Sequence, residues 1–199
     1  AMTAVYPLQG PGQVNNYASA VTPVLGNPRA VVMSQGINPR YGDIDTYHMS
    51  SCAIDTAIRN AIALGANPDH LALMDNFCWC SSDEEERLGQ LKASVQACYD
   101  YATVYGTPFI SGKDSMFNDF KGFTPEGEPI KISVPPTLLI SSIGIMEDVK
   151  KAVTMDPKMT GDLVYIIGET ADELGGSEYY DHIEKGTVGA NIPKVDANK

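Results

Sequence analysis

Two long helical patterns, each followed by a short apolar run, limit the folds that this chain can adopt. In the first pattern, from Met49 to Leu64, apolar residues recur at helical spacing and Gly65 is placed to end the helix. The apolar run His70 to Met74 follows it. The second helical pattern runs from Ser82 to Gly106 and leads into the apolar run Pro108 to Ile110. Helices that alternate with short buried strands indicate a mixed α/β fold.

Each predicted helix has one apolar face. The face of the first helix consists of Ile54, Ile58, Ala61 and Ile62. The second helix is predicted to begin at a capping box, Ser82 to Glu85, and its inward residues are Leu88, Leu91, Val95, Cys98, Tyr99 and Ala102. We expect these two faces to pack together against one side of a sheet and to leave its other side free for self-association.

The other apolar runs predict the remaining strands. They are Ala18–Val24, Arg29–Ser34, Ile130–Val134, Thr137–Met146 and Asp162–Gly168. Pro135 and Pro136 suggest a hairpin-like return between the third and fourth of these runs. A charged stretch with Pro157 predicts a domain boundary near residue 152.

Composition excludes some functions. The formal net charge of −11, from 25 acidic and 14 basic residues, argues against a nucleic-acid-binding surface, which needs a basic stripe to neutralise phosphates. No apolar stretch approaches the length of a membrane span and no leader pattern is visible, so we expect a soluble cytoplasmic protein. The four cysteines lack zinc-site spacing and are interpreted as reduced thiols, while the roles of Cys78 and Cys80 stay open.

A glycine, a lysine and an aspartate follow the predicted strand Pro108 to Ile110. The sequence there is Ser111-Gly112-Lys113-Asp114-Ser115. Glycine lets the backbone approach a phosphate, lysine supplies a positive charge, and aspartate can hold a metal ion. The run lacks the leading glycine of a Walker A loop, so a phosphate site and an ordinary polar turn both remain open.

Three further positions carry groups that could bind a metal. Asp75, with Asn76, follows a predicted strand, where an open sheet often places ligand groups, although an Asx turn would have the same pattern. Asp43 and Asp45 precede the first helix, where one could cap the helix and the other hold a metal. Asn60 lies inside that helix, so its amide has either a specific partner or only solvent.

Six blocks of residues keep a common order and spacing. They are Gly36–Tyr47, Ala53–Asn60, Leu64–Pro68, Asp75–Trp79, Tyr105–Asp119 and Leu174–Tyr179. Together they resemble the phosphoribosylformylglycinamidine synthase family over roughly residues 10–182. Within that family, the blocks resemble the N-terminal half of the second synthetase unit.

The resemblance implies the fold that aminoimidazole ribonucleotide synthetase shares with selenophosphate synthetase and thiamine monophosphate kinase. Residues 1–28 would form an irregular N-terminal segment, and residues 29–152 an α/β (α+β) domain whose sheet pairs with a second copy into a barrel-like core. Residues 153–199 would begin a C-terminal α/β domain that closes over ATP. The chain would then be part of a longer enzyme and inactive alone.

The resemblance also implies a reaction. ATP activates the amide oxygen of formylglycinamide ribonucleotide, and ammonia from glutamine displaces phosphate to leave an amidine. The implied partners are the sister synthetase half and a glutaminase domain or subunit. We expect ATP to be bound with Mg²⁺. The expected nucleotide-binding residues are Asn60, Gly112, Lys113, Asp114 and Ser115, and the expected metal ligands are Asp45, Asp75 and Asp114.

Two positions depart from the family pattern. A glutamate is expected four residues before Asn60, where this chain has Thr56, and an acid is expected near Tyr17. These departures support an alternative in which this half is a non-catalytic scaffold with a degenerate or structural nucleotide site. A complete small kinase-like member of the superfamily is a third interpretation.

Overall fold

The computed structural model describes residues 4–6, 18–22, 26–154, 157–184 and 186–199. Its strands are β1 (Ala4–Tyr6), β2 (Ala18–Thr22), β3 (Ala30–Ile37), β4 (Leu71–Cys78), β5 (Phe109–Ser115), β6 (Asp119–Phe123), β7 (Pro129–Ser133) and β8 (Thr137–Met146). Its α-helices are α1 (Thr46–Leu64), α2 (Glu85–Tyr105) and α3 (Glu178–Ile183). Short 3₁₀ turns occupy Pro39–Asp43, Pro68–His70 and Val149–Lys151. This order confirms the predicted mixed α/β class.

Six strands form one sheet in the order β1-β2-β3-β8-β4-β5. Strands β4 and β5 are parallel, as expected when helix α2 connects them, and the other neighbouring strands are antiparallel. Strands β6 and β7 form a separate two-stranded hairpin. The long strand β8 lies between β3 and β4, so it joins the two halves of the sheet.

Helices α1 and α2 cover one face of the sheet. In β8, Leu138 and Ile140 are fully buried on the covered face. Alternate residues point to the other side, where Met33, Ile37 and Ile145 remain 38%, 48% and 44% exposed. The sheet is thus an open layer with one covered and one partly apolar free face, and the free face agrees with the expectation from sequence. The described residues form no closed barrel.

The two helices contact through small residues rather than through the predicted apolar stripe. In α2 the buried residues are Ser94, Ala97, Cys98 and Tyr101. Leu88, Val95 and Tyr99 are 52%, 50% and 69% exposed, and Ile62 of α1 is 41% exposed. The prediction of these four inward side chains was wrong. The hydroxyls of Ser50 and Ser94 lie 2.5 Å apart, a spacing that only close helix packing permits.

Gly36 of β3 sets the distance between α1 and the sheet. A β-carbon at this position would lie 2.1 Å from the carbonyl oxygen of Ala53 and 2.9 Å from the backbone nitrogen of Ala57. The neighbouring Ser34 hydroxyl donates to the Ala57 carbonyl oxygen over 2.6 Å. The helix backbone therefore rests directly on the strand.

Several local predictions from the sequence differ from the structure. Helix α2 begins at Glu85 after the N-cap Glu84, which makes no side-chain cap, so the predicted capping box is wrong. The return at Pro135 is wrong as well, because β7 pairs with β6 and β8 enters the large sheet. Residues 162–168 form no strand, and Leu163 to Ile167 are exposed, because no other described strand pairs with them. The predicted strand at Ala18 is confirmed to Thr22, and residues 23–25 lie outside the described residues.

The C-terminal residues pack back onto the helices. Ile192 is buried, the Cys52 thiol contacts the Pro193 carbonyl oxygen at 3.2 Å, and the Tyr101 hydroxyl donates to the Val195 carbonyl oxygen at 2.7 Å. The boundary expected near residue 152 remains a prediction. In the described part of the chain, neither long helix has the continuous apolar stretch that crossing a bilayer would require.

We expect Gly36→Ala to lower the free energy of unfolding by about 1–3 kcal/mol, because the added methyl group collides with helix backbone that cannot move aside. The matched control is Gly89→Ala in helix α2, where a β-carbon meets nothing within 4 Å. That change should raise stability by about 0.5–1 kcal/mol through helix propensity. Urea unfolding of both variants checks the pair. Equal effects would contradict the close contact between α1 and β3.

Candidate functional site

The parallel pair β4 and β5 brings two predicted acidic ligands onto one face. Asp75 lies opposite Gly112 in the register, and Phe77 lies opposite Asp114. Phe77 is buried under the helices, so alternation places Asp75, Gly112 and Asp114 together on the helix-covered face. Both runs are strand rather than loop, because β4 extends to Cys78 and β5 to Ser115. The alternatives of an Asx turn at Asp75 and a polar turn after Ile110 are therefore wrong.

Gly112 leaves room for the Asp75 carboxylate. A β-carbon on Gly112 would lie 2.3 Å from Asp75 Oδ1 and 2.7 Å from Oδ2, well inside van der Waals contact. Any larger residue would displace this side chain. The absence of a side chain on Gly112 therefore allows the Asp75 carboxylate to lie against strand β5.

The surroundings of Asp75 disfavour its negative charge. Burial raises its pKa, and the charge of Asp114 adds to this, while the nearby backbone N–H groups of Asp75 and Lys113 act in the opposite direction. Beneath it, burial raises the pKa of the Cys98 thiol to about 12, with a further contribution from Asp75. A half-buried carboxylate and an exposed carboxylate that repel each other, such as Asp75 and Asp114, are stabilised when a cation lies between them.

Lys113 and Ser115 are placed differently from the acids. Lys113 pairs with Asn76, so both side chains point to the open face of the sheet. Because β5 is the outermost strand, the long Lys113 side chain can reach past the sheet edge toward either face. Ser115 is the last residue of β5, and its carbonyl oxygen accepts from Asn118 Nδ2 at 2.7 Å in the turn that follows.

Asn60 and Asp45 each hydrogen-bond to backbone groups outside the acidic pair. Asn60 Nδ2 donates to the Gln35 carbonyl oxygen of β3 at 3.2 Å, two strands from β4, or about 10 Å at ordinary strand spacing. Asp45 is the N-cap of α1 and accepts from the His48 backbone N–H at 2.9 Å. It precedes Asn60 by 15 residues, or about 22 Å along a helix. The described residues contain no group of three acidic, histidine or cysteine side chains that could hold a metal, so the three predicted ligands are not assembled into one cluster.

The structure contains a concave region that the sequence did not predict. Arg40 lies 3.2 Å from Asp181 and 3.8 Å from Glu178, and Gly176 packs on the ring of Tyr41. These contacts border a cavity of about 210 Å³. The first and last of the six sequence blocks therefore meet in space. Their separation in the sequence gave no local signal of this contact.

Comparison with known proteins assigns the fold to a family. Residues 17–146 match the family described as AIR synthase related protein, N-terminal domain. The chain belongs to this family. The match covers strands β2 to β8 and helices α1 and α2, so it includes the part of the chain that contains the candidate site.

Individual relatives of this chain also confirm the resemblance to phosphoribosylformylglycinamidine synthase. The chain is 35% identical to the phosphoribosylformylglycinamidine synthase subunit PurL of Methanothrix thermoacetophila, over 93% of this chain and 23% of that protein. Two solved structures are similar in fold. They are Thermotoga maritima PurL complexed with FGAR (22% identity, TM-score 0.57, 76% of this chain, 22% of that one) and complexed with ATP (21%, 0.55, 76%, 23%). The chain spans about a quarter of the length of the curated relatives it matches.

We expect Asp75→Asn to stabilise the protein in the absence of metal near neutral pH. The pKa of Asp75 is raised in the folded state, so this group costs no stability well below the ordinary value of 3.8, where it is protonated in both states, and it lowers stability progressively as pH rises through the folded-state pKa. The variant should therefore melt higher than the parent at pH 7, and the difference should shrink toward pH 3.5. Thermal melts across this pH range, with chelator present, check the sign. A variant that melts lower at pH 7 would contradict the repulsion described here.

Proposed function

We propose that this chain is the N-terminal half of the second synthetase unit of a phosphoribosylformylglycinamidine synthase. The longer enzyme would use ATP and glutamine to convert formylglycinamide ribonucleotide to formylglycinamidine ribonucleotide in the cytoplasm. One observation carries the proposal, namely the placement of Asp75 and Asp114 on one face beside a glycine that clears space for a carboxylate. The similarity to PurL over 93% of the chain supports it.

The residues of this site fit a nucleotide bound with Mg²⁺. Asp75, which is half-buried, and Asp114, which is exposed, offer hard oxygen ligands on one face, where a cation would relieve their repulsion. Bound Mg²⁺ would neutralise phosphate charge during phosphoryl transfer. Gly112 lets the strand backbone come close to a phosphate, and Lys113 at the sheet edge supplies a positive charge within reach.

Asn60 would join the site only through a ligand that bridges the strands. It faces the same layer, but its amide is held by β3, about 10 Å from β4. Thr56 lies one turn earlier on α1, where a glutamate would add a third hard ligand. Ser115 stabilises the turn after β5 and would support the site indirectly.

A scaffold function is the second candidate, and Thr56 favours it. Without a carboxylate at this position, the acidic pair has no third charged ligand among the described residues. In this alternative the free sheet face pairs with the sister half, which performs the chemistry. The apolar residues on that face support such pairing under either function.

Further partners follow from the proposed enzyme. The free face would meet the sister synthetase half, and a glutaminase domain or subunit would supply ammonia. Leu163 to Ile167 are between 75% and 95% exposed. We propose that residues 153–199, which include this exposed run, begin the C-terminal domain that closes over ATP.

ATP with Mg²⁺ should bind to the chain, and Asp114→Asn should abolish the dependence on Mg²⁺ while the fold is kept. Thr56→Glu should tighten binding, because a carboxylate one helical turn from Asn60 restores a hard ligand on the same face. The control is Asp83→Asn, an exposed acid outside the site. Calorimetry with ATP and ADP, with and without Mg²⁺, measures each variant. No binding in either the parent or Thr56→Glu would refute the nucleotide site and leave the scaffold function.

The free sheet face should drive self-association. Met33 and Ile145 lie on it and are exposed, so Met33→Lys with Ile145→Lys should shift the protein toward monomer by placing charges in the interface. Leu88→Lys with Val95→Lys adds the same charges to the exposed side of α2 and serves as the control. Sedimentation over a range of concentrations separates the two double variants. A parent that stays monomeric at high concentration would argue against pairing through this face.

A further inference from the structure

The hairpin β6–β7 contains a buried carboxylate that lacks hydrogen bonds. The side chain of Asp119 is 2% exposed. Neither of its carboxylate oxygens has a hydrogen-bond partner among the described residues. Its charge is met by the ammonium group of Lys131, whose Nζ lies 3.6 Å from Asp119 Oδ2. A buried carboxylate with one ion-pair partner and no hydrogen bonds depends strongly on that partner.

Lys131 has a second acidic neighbour. Its ammonium also contacts the carboxylate of Glu84, the N-cap residue of helix α2, and this contact is the shorter of the two. Arg87 lies 4.0 Å from the same Glu84. Directly across the hairpin, Lys121 faces Lys131 and repels it. Two negative charges, on Asp119 and Glu84, and two positive charges, on Arg87 and Lys121, thus surround Lys131.

Burial, rather than distance, distinguishes the two ion pairs. The Glu84 side chain is 48% exposed, so water can solvate its charge when the pair opens. Asp119 has no such alternative while the hairpin stays in place. Removing Lys131 would therefore leave an uncompensated buried charge, which is relieved only when the hairpin lifts and admits water.

We propose that the ion pair between the buried Asp119 carboxylate of β6 and the Lys131 ammonium of β7 is a latch within the hairpin: the hairpin stays closed against Trp79 and Cys80 only while Lys131 compensates the charge of Asp119. The closer contact with Glu84 contributes little to this closure. The latch is separate from nucleotide binding, and it stands or falls independently of the function proposed above.

The latch fixes the segment that follows the candidate site. Between β5 and the hairpin, Phe117 adopts a left-handed backbone with φ of 58°, and its N–H donates to the Cys80 carbonyl oxygen at 3.3 Å. The Asn118 N–H donates to the Trp79 carbonyl oxygen at 3.0 Å. A hairpin that lifts would pull on these bonds.

Hydrogen exchange of the hairpin amides tests the latch. Lys131→Met should lower their protection on the order of 100-fold, and Glu84→Gln should lower it less than about fivefold. Asp119→Asn combined with Lys131→Met should recover protection to within about tenfold of the parent, because no charge is then left buried. Lys121→Met is the matched control and should leave protection equal or higher, since it removes repulsion.

Three results would overturn the latch. They are hairpin amides that are unprotected in the parent, a loss in Glu84→Gln as large as in Lys131→Met, and a double variant no better protected than Lys131→Met. If Lys131→Met does not fold, recovery of a folded protein in the double variant supports the proposal. Failure of the double variant to fold would count against it.

Discussion

The contact between helix α1 and strand β3 is the constraint on which the rest of this structure depends. Where Gly36 lacks a side chain, the backbone of the helix touches the strand at Ala53 and Ala57. This approach brings α1 low over the sheet, and α2 then fits beside it only through residues as small as Ser50 and Ser94. The hydrophobic core that results combines backbone contact and small side chains at the helices with large apolar side chains such as Trp79, Leu73 and Ile140.

This geometry explains which parts of the fold could be predicted from the sequence. Periodicity identified both long helices and the main strands, because each pattern is set by burial within one element. The inward face of α2 was predicted wrongly because the sequence rule selects large apolar residues, whereas close packing selects Ser94, Ala97 and Cys98. The apolar run Leu163 to Ile167 was predicted as a strand but is exposed. An apolar run becomes a buried strand only where other strands are present to pair with it.

The candidate site was predictable in its residue types and less so in its arrangement. Asp75 and Asp114 were selected because they follow apolar runs, and the parallel register of β4 and β5 places them on one face. Strand length decides that Lys113 points to the other face of the sheet. Helix direction places Asp45 at the N-terminus of α1, at the opposite end of the helix from Asn60. Neither can be derived from spacing alone, because both strands extend several residues beyond their apolar cores. The contact of Arg40 with Asp181 is non-local and had no signal in either segment.

The packing of small residues between α1 and α2 also affects how this domain can change in evolution. At the contact of Ser50 with Ser94, and along Ala53 and Ala57, any enlargement must move a whole helix, so few substitutions can be accepted singly. The outer side of α2 has no such limit, since Leu88, Val95 and Tyr99 face outward. Sequence drift can therefore accumulate on that outer surface while the helix pair keeps its close spacing. Related domains could acquire new binding partners there without disturbing the interior.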